Sequence, residues 1–195
     1  MTETVERTRN GAILYDKAII NQISAERFTP QGWPHVEKLR GELRSAGRGN
    51  TLYVGNVPRQ FVLRHYMRGG LIGKINRDKY MFSGEDLTRS FMEWRLLDKL
   101  AANNLNVPRP AAARFVRKGT FYTADIITVR IPDVDVWMLD FDKGSLKPPG
   151  PWQQQTLSRL HRSLEKVRAL DPALHFQDSN WEQLLEGYFN ASRSA

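Results

Sequence analysis

Four groups of residues have the types and the spacing to act on a phosphate. Gly47 and Gly49 flank one residue just ahead of a β-rich run, Thr51–Val54. Glycines there let a backbone approach phosphate oxygens closely, although a plain turn uses them equally well. Arg64 lies inside the apolar and aromatic run Phe61–Tyr66. By a period of two, Val62 and Tyr66 share its face. A cation on a half-buried strand needs an anionic partner, because burying it unpaired is costly; the competing reading is an edge-strand arginine directed to solvent. Glu93 falls at the border of an apolar helical stripe, from which a carboxylate can reach a cation on a packed sheet. It could instead form a surface pair with Arg89, four residues earlier. Asp140 and Asp142 close an alternating apolar run. Two carboxylates at a strand end suit Mg²⁺, a hard ion that takes oxygen ligands, and they equally suit a capped turn.

In chain order these groups match the parts of a protein kinase: a Gly-rich loop, a strand cation, a helix glutamate paired to it, and a strand-end Asp on magnesium. Such a site works by positioning and charge neutralisation rather than by covalent chemistry. In such a site the cation would bind the phosphates of a nucleotide and the glutamate would fix the cation.

The elements that must hold these residues are legible in outline. Tyr15, Ile19, Ile20 and Ile23 predict a short helix, and Val36, Leu39 and Leu43 another over 36–46, ending near Gly47. Residues 51–54 and 61–66 predict a hairpin across the break at Gly55–Pro58. Ser83 is a plausible N-cap for a helix over 84–102, with Glu85 and Asp86 in its first turn. Its stripe is Leu87, Phe91, Trp94, Leu97 and Ala101, and Asn103-Asn104 closes it. After the linker Val107–Pro110, residues 111–118 and 121–131 predict a second hairpin around Lys118-Gly119. Val134, Val136 and Met138 then alternate as a strand up to Asp140, and Lys147–Pro151 is a rigid connector. A basic helix carries Leu157, Leu160, Leu164 and Val167 on one face, and a last short helix starts near Asn180. Hairpin, helix, hairpin, strand and helices make an α+β fold with segregated elements, not a doubly wound sheet.

Composition narrows the classes. The 195 residues are 41% hydrophobic and 26% charged, an ordinary globular mixture. There is no cysteine, which excludes disulfides, thiolate metal sites and a Cys nucleophile. The polar start MTETVERTRNG shows no apolar signal-peptide core, and no apolar run is long enough to span a bilayer. Lys and Arg number 29 against 21 Asp and Glu, a net charge of +8. That suggests an anionic partner: nucleic acid, an acidic membrane surface or a phosphorylated substrate. Between Lys38 and Lys79 the only acids are Glu42 and Asp78.

Longer runs carry a more specific likeness. Phe61–Lys74 (FVLRHYMRGGLIGK), Tyr80, Arg89–Leu97 (RSFMEWRLL), Val107–Pro110, Asp125–Pro132, Leu139–Gly144 and Trp152–Gln154 through Arg159–Leu164 resemble the lipopolysaccharide kinase family of Gram-negative bacteria, the kinases of 3-deoxy-D-manno-octulosonic acid (Kdo). The resemblance runs from about Gly47 to Leu164 and implies a protein-kinase-like fold. Residues 1–132 would be the N-terminal lobe with an extension, and 133–195 a remnant of the C-terminal lobe. It implies transfer of the γ-phosphoryl of ATP, with Mg²⁺, to the 4-hydroxyl of Kdo on a lipid A precursor. The place would be the cytoplasmic face of the inner membrane, with peripheral attachment. By the same resemblance Arg64 stands where kinases have the strand lysine, and Glu93 is its partner. Gly47 and Gly49 belong to the phosphate loop, and Thr128, Val129, Arg130 and Ile131 form the hinge edge beside adenine. Asp140 holds Mg²⁺, with Asp142 in support. Arg68, Lys74 and Arg77 would attract the lipid headgroup or the leaflet, an attachment that high salt removes.

One departure matters. The family's catalytic loop reads like His-Ala-Asp-Leu-Asn-Ala-His-Asn and lies between the hinge and the Asp-Phe-Asp strand. Its Asp orients or deprotonates the acceptor hydroxyl. Here only residues 133–139 separate Pro132 from Asp140, too few for two helices of about 11 residues each and a loop. Asp133, Asp135 and the group His175, Asp178 and Asn180 have the wrong company or spacing, so the general base is missing from this chain. Either residues have been lost from the recorded sequence near Pro132–Val134 or the deletion is genuine. The alternative function is a non-enzymatic basic protein binding RNA or anionic lipid, since Tyr53, Phe61, Tyr66 and Tyr80 interleave with the cations. No nucleic-acid motif supports it, and no nucleic acid is expected as a partner.

Overall fold

The computed structural model describes residues 3–38, 51–56, 58–67, 78–131, 144–170 and 175–193. Among these, eight strands form one antiparallel sheet: β1 (Glu3–Thr8), β2 (Gly11–Asp16), β3 (Val36–Lys38), β4 (Thr51–Val54), β5 (Phe61–His65), β6 (Tyr80–Met81), β7 (Pro110–Lys118) and β8 (Phe121–Val129). Their spatial order is β1-β2-β7-β8-β5-β4-β3, with β6 also on β8. Helix α1 spans Arg89–Ala102, α2 Trp152–Leu170 and α3 Asp178–Arg193. The chain divides into two compact units, residues 1–146 and 147–195. The expected lobe boundary at Pro132 lies outside the described residues.

Turn chemistry sets the register of the sheet. Lys118 pairs with Phe121 across Gly119-Thr120, and Gly119 has φ +65°, the left-handed geometry that two-residue hairpins demand. Thr8 pairs with Gly11 across Arg9-Asn10. A Cβ on Gly11 would lie 2.0 Å from the Phe115 carbonyl oxygen, so only glycine lets β2 approach β7 this closely.

Each face of the sheet carries a hydrophobic core. On one face Phe91, Trp94 and Leu97 of α1 pack on Leu14, Phe115, Tyr122 and Ile126, with Phe91 and Phe115 edge to face at 5.3 Å. Trp94 is fully buried. On the other face Ile23, Phe28 and Trp33 cover Tyr15, Leu52, Val54, Phe61, Leu63 and Ile127. Burying side chains of this size stabilises by about 1.5–3 kcal/mol each.

Four expectations change. Residues 36–38 are a strand, not the start of a helix over 36–46; Val36 and Glu37 pair with Val54 and Tyr53, since β4 has an open edge that outweighs weak helical periodicity. Positions 39–46 lie outside the described residues. Tyr15 belongs to β2 rather than to a helix with Ile19, Ile20 and Ile23; the N–H groups of Ile19 and Ile20 both donate to the Asp16 carbonyl in a turn. Helix α1 starts at Arg89, with Thr88 extended at the N-cap. Glu85 and Asp86 therefore precede the helix, and Leu87 is 60% exposed. The last helix is not short: α3 has 16 residues.

The second unit is a helical hairpin. His161 stacks on Trp181 at 4.4 Å, Gln153 Nε2 donates to the Tyr188 hydroxyl at 2.8 Å, and Arg168 pairs with Asp178 at 2.9 Å. Leu160, Val167, Leu184 and Phe189 remain exposed on it.

Candidate active site

Strand β5 is internal, with β4 on one side and β8 on the other. Arg64 stands opposite Thr51 on β4 and Ile126 on β8. Ile126 packs against α1, so Arg64 faces the same way and is not an edge residue. On α1, Ser90 anchors the first turn by donating its hydroxyl to the Arg114 carbonyl of β7 at 2.9 Å. Glu93, one turn later, is only 5% exposed.

The two residues meet. Arg64 Nη2 donates to Glu93 Oε1 and Oε2, both at 2.6 Å. The surface pair with Arg89 is not the arrangement; Arg89 lies over the Tyr80 ring at 4.7 Å. Tyr66 completes the cluster: its hydroxyl donates to Glu93 Oε2 at 2.5 Å, and the Arg64 guanidinium sits 4.8 Å from its ring centre. Burial works against the Arg64 charge, but the charge and hydrogen bonds of Glu93 outweigh it and hold the guanidinium more firmly protonated than usual. Burial, with the Glu93 charge added, pushes the Tyr66 hydroxyl well above its ordinary pKa, against an opposing pull from Arg64.

Beside the pair the sheet face is half open. Val62, two residues before Arg64 and about 6–7 Å along the strand, stands opposite Tyr53 on β4 and Thr128 on β8. Tyr53, Val62 and Thr128 are half-buried, as are Arg130 and Ile131 beyond β8. Arg130 covers the Tyr53 ring at 4.4 Å and donates Nη1 to Gln60 Oε1 at 2.8 Å. Of the expected hinge residues, Thr128 lies on the Arg64 face. The Val129 side chain instead packs into the opposite core. The backbone N–H groups of Val129 and Arg130 already donate to the Arg109 and Gln60 carbonyls, both at 2.9 Å.

Gly47, Gly49, Arg68, Lys74, Arg77, Asp140, Asp142 and the junction at Pro132–Val134 lie outside the described residues. Among the described residues no group of three or more His, Asp or Glu could hold a metal ion.

A second charged cluster, not foreseen from the sequence, occupies the opposite face. Asp125, 3% exposed, stands across from His65 on β5 and Arg114 on β7. It accepts from His65 Nδ1 at 2.7 Å and from Arg114 Nε and Nη2 at 3.0 and 2.7 Å. His65 Nε2 lies 3.5 Å from Asp78. Arg114 also donates to the Ala25 carbonyl at 2.9 Å and covers the Phe28 ring at 4.7 Å. The visible signal was an aspartate inside the apolar run Tyr122–Val129.

Comparison with known proteins adds to this geometry. The family model described as the lipopolysaccharide kinase (Kdo/WaaP) family matches residues 34–135 and 132–188. A 3-deoxy-D-manno-octulosonic acid kinase of Vibrio vulnificus (strain YJ016) is 32% identical over 224 residues, covering 90% of this chain and 94% of that protein. The enzyme of the same name from Vibrio parahaemolyticus serotype O3:K6 is 31% identical over 228 residues, covering 92% and 94%. That of Stenotrophomonas maltophilia (strain R551-3) is 34% identical over 206 residues, covering 81% and 82%. No solved structure matches. Each of these alignments is longer than the 195 residues available here, so the relatives hold residues that face none in this chain.

Proposed function

Because the chain belongs to the lipopolysaccharide kinase (Kdo/WaaP) family, we propose that it directs the γ-phosphoryl of ATP to the 4-hydroxyl of Kdo on a lipid A precursor, with Arg64 as the phosphate-binding cation. The observation that carries this reading is the part-buried pair Arg64–Glu93 beside a half-open sheet face. ATP supplies the phosphoryl group and Mg²⁺ neutralises its developing charge. Arg64 binds phosphate oxygens, and Glu93 fixes the guanidinium in place. Val62 and Thr128 offer a half-buried surface for a base on the same face, beside Tyr53. Asp140, supported by Asp142, holds the metal. Arginine in place of lysine keeps the charge and adds a planar fork.

The chain as it stands lacks the group that receives the acceptor's proton. The two family matches meet at residues 132–135, where the catalytic loop belongs, and the alignments with relatives exceed the chain in length. Attachment to the acidic leaflet is electrostatic in this reading, through Arg68, Lys74 and Arg77. No helix among the described residues is long and apolar enough to cross a membrane.

The test is transfer of labelled phosphate from ATP to a Kdo-lipid A precursor. The chain itself should give none. The chain with the corresponding segment of the Vibrio vulnificus relative inserted at 132–135 should transfer, and Asp140→Ala in that background should abolish transfer without loss of fold. Near-normal transfer by Asp140→Ala would remove the metal assignment.

A further inference from the structure

We propose that Tyr66 is a positioning residue of the nucleotide site, which holds Glu93 so that Arg64 engages it through one nitrogen and keeps the rest of its guanidinium for phosphate. This rests on the nucleotide-binding reading of Arg64 and adds a residue to it.

The geometry of the cluster is asymmetric. A guanidinium carries five N–H donors in a planar fork. Arg64 places both Glu93 oxygens on Nη2 alone, and its Nε and Nη1 meet no acceptor among the described residues. A carboxylate facing an arginine favours two parallel bonds to two nitrogens. Here the Tyr66 hydroxyl and Arg64 Nη2 share Glu93 Oε2, and Nη2 lies 3.4 Å from the same hydroxyl, so Tyr66 pins the carboxylate at that one nitrogen. Tyr66 is itself fixed. It is 3% exposed, its backbone N–H donates to the Ala124 carbonyl at 3.0 Å, and its ring lies under the guanidinium at 4.8 Å. Burial beside Glu93 keeps the hydroxyl protonated, so it acts toward the carboxylate as a donor.

Nε and Nη1, which lie on different edges of the guanidinium, each keep an N–H for a separate phosphate oxygen. A lysine would present a point charge and would not need such control. Tyr66 has a task here because the strand cation is an arginine. Without the hydroxyl, Glu93 Oε2 turns to a second guanidinium nitrogen and closes the fork. Phenylalanine at this position retains the ring and its volume and removes only the hydrogen bond.

The experiment measures equilibrium binding of Mg-ATP and of adenosine to the wild-type chain, Tyr66→Phe and Arg64→Ala, with thermal midpoints for all three. Tyr66→Phe should weaken ATP about tenfold, the effect of one hydrogen bond to a charged group, leave adenosine binding close to wild type, and lower the midpoint without unfolding the chain. Arg64→Ala should lose the preference for ATP altogether. ATP binding by Tyr66→Phe at the wild-type level, with Arg64→Ala impaired, overturns the role of Tyr66 alone. So does an equal loss of ATP and adenosine, which marks a support of the fold. If the wild-type chain shows no preference for ATP over adenosine, the nucleotide reading fails and the role of Tyr66 falls with it.

Discussion

Arg64 and Glu93 are joined across 29 residues of sequence by a single nitrogen, Nη2, 2.6 Å from each carboxylate oxygen. The two are unequally buried, with 25% of the Arg64 side chain exposed and 5% of Glu93. Stranding the deeper charge should therefore cost more. Arg64→Met leaves Glu93 buried with only Tyr66, and should destabilise by about 3–5 kcal/mol. Glu93→Leu leaves a guanidinium that can turn toward solvent, and should cost about 1–3 kcal/mol. Urea denaturation of both variants checks the order. Equal costs, or the reverse order, would mean that the pair is not held as the structure places it.

His65 gives the protein a pH dependence. Its hydrogen bond to Asp125 raises its pKa; burial opposes the shift and Asp78 adds to it. A raised folded-state pKa means that the stabilisation is complete below the unfolded value of about 6.5 and disappears as pH rises through the folded value. Denaturation midpoints should fall as pH rises above about 6.5. The slope should flatten in His65→Gln. An unchanged slope in that variant would assign the dependence to another group.

The helix that carries Glu93 is held by Trp94, fully buried against the sheet. Trp94→Ala should cost about 3–5 kcal/mol. Leu87→Ala should stay within about 0.5 kcal/mol, because Leu87 precedes the helix and is 60% exposed. Comparable losses from both would place the start of α1 near residue 84 rather than at Arg89.

The parts of the fold that were legible in the sequence are those in which local signals agree with tertiary contacts. Thr51–Val54 and Phe61–His65 are β-rich and do pair, and Lys118-Gly119 marks the hairpin that joins β7 to β8. The stripe Phe91, Trp94, Leu97 is the buried face of α1. What stayed hidden depends on distant partners. Val36–Lys38 is a strand only because β4 offers an edge, and β1–β2 extend the sheet through register with β7 rather than through strong alternation. At the site, the chemistry of Arg64 and Glu93 was visible as two charges in apolar settings, each with a competing reading that spacing could not remove. Tyr66 read as a strand neighbour of Arg64, and its hydrogen bond to Glu93 needed the packing of α1. Asp125 with His65 and Arg114 needed the order β7-β8-β5, which no short-range signal carries.

The most direct measurement is the affinity of the chain for Mg-ATP, by titration calorimetry, with and without Arg64→Ala. Removing a charged hydrogen-bond donor from the phosphates should weaken binding by roughly ten- to a hundredfold, with circular dichroism unchanged. ATP bound equally well by a folded Arg64→Ala chain would contradict the account.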